Sequence, residues 1–145
     1  MVIASVLLAL WAVQAAPDVP VERMGSLPEI ELTSGHILDS THLTVSPDGA
    51  VIAQVRTDYR TDPKPGRLSS AETARLLAAI ARIPNDLPGD GPPPIAQPGR
   101  FAEARVIVTV GGRTWWFRFG DAPHAAVRTL AEELRVVAER VLAGR

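Results

Sequence analysis

Apolar positions alternate with polar ones over residues 28 to 35, "PEIELTSG", where Ile30 and Leu32 fall on one side and Glu29, Glu31 and Thr33 on the other. Period-two alternation is the mark of a strand with one buried face. It recurs in "HLTVSPDGAVIAQVRT", where Leu43 and Val45 precede "SPDG" and Val51, Ala53 and Val55 follow it. Proline and glycine there fit the second and last positions of a tight turn, so this segment is predicted as a hairpin. A second hairpin is predicted over residues 104 to 119, "ARVIVTVGGRTWWFRF". Its Gly111-Gly112 pair suits a two-residue turn requiring positive φ.

The period then changes. In "LSSAETARLLAAIARIP" Leu76, Leu77, Ile80 and Ile83 share one helical face, Ser69 and Glu72 have capping-box spacing, and Pro84 ends the run. Near the C-terminus Val127, Leu130, Leu134, Val137 and Val141 recur at three-four spacing, behind Asp121 as expected cap and Pro123 in the first turn. This second amphipathic helix is expected to pack on its own sheet, with a helix-mediated dimer as the alternative. Residues 58 to 67, "DYRTDPKPGR", read as a loop, and residues 84 to 100 hold six of the thirteen prolines. So long a connection is either a presented functional loop or a tolerated insertion. The predicted fold is α+β: an antiparallel sheet of about five strands built from ββ-hairpins, with two helices packed on one face.

The two-residue turn also fixes the register of the second hairpin. Val106, Val108, Trp115, Phe117 and Phe119 are expected on the core face, and Arg105, Ile107, Thr109, Thr114, Trp116 and Arg118 on the other. Trp116 would oppose Ile107, with Arg118 beside it and Arg105 diagonal. Either another segment covers this cluster, or Trp116, Ile107, Arg105 and Arg118 form a docking patch of the kind that dominates protein interfaces.

Composition narrows the compartment and the chemistry. Uncharged residues run from Met1 to Pro17, with an apolar stretch from Val2 to Val13 and small residues at Val13 and Ala15. This predicts a signal peptide over 1–15, a linker over 16–27 and one domain over 28–145, secreted or periplasmic and without a stable membrane span after cleavage. An uncleaved anchor is the alternative. There is no cysteine, which excludes disulfides, thiolate nucleophiles and cysteine-bound metal. The formal net charge of −1 gives no drive towards nucleic acid. His36 and His42 flank an expected loop without metal-ligand spacing, and Ser34 near His36 lacks a nucleophile elbow. No metal, cofactor or catalytic residue is expected.

The succession "IELTSGH", "LSSAETARLLAAI", "LPGDGPPP", "VIVTVGGRTWWFRF", "GDAPHAAVRTLAEEL" resembles the emfourin family, small protein inhibitors of thermolysin-like metalloproteases. The resemblance implies an α+β fold and a protein partner, an extracytoplasmic protease, and assigns no inhibitory residue. The expectation is therefore an exported, non-enzymatic protein-binding domain of protease-inhibitor type, with a structural or envelope accessory domain as the alternative.

Overall fold

A computed structural model describes residues 26–36, 39–57, 60–93, 104–119, 121 and 124–145. The signal segment, most of the expected linker, residues 94–100 of the Pro-rich stretch and Pro123 lie outside the described residues. Six strands form one antiparallel sheet: β1 (Ile30–His36), β2 (Asp39–Val45), β3 (Ala50–Thr57), β4 (Arg60–Arg67), β5 (Arg105–Val110) and β6 (Arg113–Arg118), in the order β4-β3-β2-β1-β5-β6. Helices α1 (Ser70–Ala81) and α2 (Ala125–Leu142) complete an α+β fold. The core joins Ile30, Leu32, Leu43, Val45, Val108 and Trp115 of the sheet to Leu76 of α1 and Leu130 and Leu134 of α2. Leu27, expected in the linker, is buried in the same core.

The sixth strand is β4, over the segment expected to be a loop. Its register with β3 is continuous from Thr57↔Arg60 to Ala50↔Arg67. A two-residue connection makes the flanking pair hydrogen-bonded, so every second pair, including Gln54↔Pro63 and Ile52↔Pro65, is non-hydrogen-bonded. The two proline nitrogens therefore face the free edge and cost the ladder nothing. They also remove two donors from that edge, and Lys64 lies between them, which deters pairing by another chain. On its inner side β4 has Gly66, where an added Cβ would lie 2.9 Å from the Val141 side chain, and Lys64, whose Nζ donates to the Leu142 carbonyl at 3.1 Å.

The cap of α1 forms with a change of partner. The Glu72 amide donates to Ser69 Oγ at 3.1 Å, and the Ser69 hydroxyl donates to Glu72 Oε1 at 3.2 Å. The Glu72 carboxylate reaches the Ser69 hydroxyl at the helix start and also meets Arg140 of α2. Nη2 donates to Oε2 at 3.0 Å, and Nε lies 2.8 Å from Oε1, placed for charge contact rather than for a directed hydrogen bond. Arg140 also donates to the Arg67 and Arg145 carbonyls, tying α1, β4 and the C-terminal turn to α2. Glu72 is 7% exposed. Arg140→Ala strands that carboxylate and is expected to cost about 2–3 kcal/mol. Arg135→Ala breaks only the exposed pairs with Glu132 and Glu139 and should cost less than about 1 kcal/mol. Denaturant titration of the two variants checks this, and equal losses would contradict it.

The second helix starts at Ala125 with His124 as N-cap, and the His124 side chain makes no capping bond. Asp121, the expected cap, lies three residues upstream of that position and donates its amide to the Arg118 carbonyl at 3.1 Å. Phe119, expected in the core, is 57% exposed, because β6 ends at Arg118 and the chain turns there.

Candidate functional site

The face of the sheet away from the helices is ordered by the register into three rows of side chains. The middle row runs Pro63, Gln54, His42, Thr33, Ile107, Trp116 across all six strands. One side is the row Arg56, Ser40, Gly35, Arg105, Arg118, and on the other lies Ile52, Thr44, Glu31, Thr109, Thr114. Trp116 opposes Ile107, and Arg118 opposes Arg105, as the Gly111-Gly112 turn predicts. All four expected site residues thus lie together. Trp115 is 1% exposed on the core face, whereas Trp116 and Ile107 are half-buried and Arg118 is exposed. Thr109 and Thr114 close the hairpin end of the cluster with a 2.9 Å hydroxyl contact.

Beside this cluster the Pro-rich segment is lashed to the free edge of β6. The Asp90 amide donates to the Thr114 carbonyl at 2.7 Å, and the Trp116 amide donates to Asp90 Oδ2 at 3.2 Å. One aspartate thereby occupies two of the outward-facing main-chain groups that a neighbouring strand would use. Gly89 permits the approach, since a Cβ there would lie 2.9 Å from the Thr114 carbonyl oxygen. Trp115 Nε1 donates to the Pro88 carbonyl at 3.0 Å. Arg113 Nη1 lies 3.2–3.4 Å from the carbonyls of Pro84, Asn85 and Leu87, while its guanidinium carbon stands 5.1 Å from the Trp115 ring centroid. An arginine that both stacks and donates makes a rigid clamp. Residues 84–90 are thus anchored alongside Trp116. Neither Arg113 nor Asp90 was expected to matter; an aspartate between glycines in a proline-rich stretch was the available signal.

His42 lies within β2 near the centre of this face, not beside a loop. Its ring is held by Thr33 Oγ1 at 3.1 Å from Nδ1 and Ser40 Oγ at 2.9 Å from Nε2, so in the neutral imidazole one nitrogen donates and the other accepts. The pair looks like a serine nucleophile with its base, yet Ser40 is only 6% exposed, which leaves little room for a substrate to reach its hydroxyl. Residues two apart on one strand face share such bonds routinely. His36 is on the opposite face by the alternation of β1, so the two histidines do not converge. Among the described residues no group of three or more histidine, aspartate or glutamate side chains is gathered for a metal ion. No described helix is long and apolar enough to cross a membrane.

Burial lowers the His42 pKa below its ordinary 6.5, with the nearby Arg56 charge adding to the effect and Glu31 opposing it. The unfolded chain therefore binds the proton more readily than the folded one. Stability should fall as pH drops from about 7 through the ordinary histidine range and below. Unfolding curves of wild type and His42→Gln at pH 7 and pH 5 check this. The wild type should lose more between the two, and identical losses would contradict the assignment.

No protein-family model and no curated protein matches the chain.

Proposed function

We propose that this is an exported, non-enzymatic protein-binding domain that meets its partner through the outer face of the β5–β6 hairpin, acting as an inhibitor of an extracytoplasmic metalloprotease. The observation that carries the reading is the pairing of Trp116 with Ile107, flanked by Arg105 and Arg118, on the face that the helices do not cover. Tryptophan and arginine are the residues most enriched at the energetic centres of interfaces. The obstructed edges support the same face. Asp90 occupies the β6 edge between Thr114 and Trp116, and prolines interrupt the β4 edge, so side chains rather than strand addition provide the contact. The sheet holds the patch in place before binding, which lowers the ordering cost of association. The inhibitory form is supported by the resemblance to the emfourin family.

The test is direct. Purified protein mixed with a thermolysin-like metalloprotease is expected to co-elute with it in size-exclusion chromatography and to suppress peptide hydrolysis at a stoichiometric ratio. Separate elution with undiminished hydrolysis would contradict the inhibitory reading.

A further inference from the structure

On the opposite side of the sheet, α2 leaves a second site. Its first half stands over the ends of β1, β5 and β6, and a cavity of about 320 Å³ opens between them. The floor is apolar, made by Leu32, Val106, Phe117 and Ala131, with the Ser34 hydroxyl as its polar point. Phe119 forms a wall while 57% exposed. A volume near 300 Å³ with an apolar base and a few polar groups at the mouth is the lower range of small-ligand sites.

The mouth carries both signs of charge. Arg135 is taken up by Glu132 at 3.1 Å and Glu139 at 3.0 Å. That leaves Arg128, on the first turns of α2, and Asp121, on the connection from β6. Their side chains make no ion pair with each other or with another described residue. One unmatched cation and one unmatched anion over an apolar floor complement a ligand with the reverse arrangement. Its carboxylate would meet Arg128, its ammonium Asp121, and its apolar group the floor. A simple anion or cation would leave one of the two charges unanswered.

We infer that this cavity binds a free α-amino acid with an apolar side chain. The site is on the other face from Trp116, so it stands or falls independently of the proposed protein interface.

The experiment is an NMR titration of the full chain with L-phenylalanine and L-leucine, following the amides of Ser34, Ala131 and Phe119. N-acetyl-L-phenylalanine lacks the ammonium, and L-phenylalanine amide lacks the carboxylate. Both free amino acids are expected to shift these amides saturably, and each blocked analogue should bind roughly tenfold more weakly or worse. Arg128→Gln and Asp121→Asn, both at exposed positions, should each weaken L-phenylalanine binding by a similar factor with unchanged thermal unfolding. The proposal is overturned by the absence of saturable shifts at 10 millimolar (about ten times the weakest useful affinity for so small a ligand). It is equally overturned if either blocked analogue binds as well as the parent, or if both variants retain full affinity.

Discussion

Trp115→Ala is expected to destabilise the protein by about 3–5 kcal/mol, the range for removing a large aromatic from a packed core. Three losses combine. The indole is 1% exposed, so truncation leaves a cavity among Val108, Phe117 and the α2 residues that share its core. Its Nε1–H no longer reaches the Pro88 carbonyl, and the Arg113 guanidinium loses the ring on which it lies. The last two couple the core to the 84–90 segment, so the variant should also lose protection of the Asp90 and Trp116 amides against hydrogen exchange. Trp115→Phe separates the contributions, since it keeps most of the apolar volume while removing the donor. It should cost clearly less, on the order of 1–2 kcal/mol. Chemical denaturation read by circular dichroism measures both, and a neutral Trp115→Ala would contradict the register of the hairpin.

That register was legible because a two-residue glycine turn admits one pairing, and because the wrong pairing would put Phe117 in water and Arg118 in the core. The strand β4 was not legible for the converse reason. Alternation announces a strand only where one face is apolar, and the inner positions of β4 are Asp62, Lys64 and Gly66. Its prolines read as loop signals, whereas on an edge strand they fit wherever the missing N–H would have faced solvent. The strand forms because β3 offers a partner and α2 covers Gly66, and both are tertiary facts.

The site was legible to the same extent. The membership of Trp116, Ile107, Arg105 and Arg118 in one patch follows from period two and the turn. The anchoring of the Pro-rich segment does not, because it rests on Arg113 reaching the Pro84, Asn85 and Leu87 carbonyls and on Asp90 reaching the Thr114 and Trp116 main chain, contacts between segments far apart in the chain. Sequence pattern sets His42 beside a loop because His36 and His42 stand on either side of the reversal between β1 and β2. The first strand runs to His36 and the second starts at Asp39, leaving two residues between them. Phe119 obeys the alternation, but the helix that would have buried it starts only at Ala125.

Binding through the outer face has a direct consequence for the double variant Trp116→Ala/Arg118→Ala. Truncating a central tryptophan in an interface commonly costs 2 kcal/mol or more, about thirtyfold in affinity, and removing the neighbouring arginine adds to it. In the free protein neither side chain belongs to the core. Trp116 is half-buried and Arg118 exposed, so the loss of stability should stay near 1 kcal/mol, a few degrees in Tm. The measurement is the dissociation constant of the complex with a thermolysin-like metalloprotease for wild type and double variant, taken alongside thermal unfolding of both. The account predicts affinity weakened at least about thirtyfold in a variant that melts within a few degrees of wild type. Unchanged affinity in a well-folded double variant would contradict it.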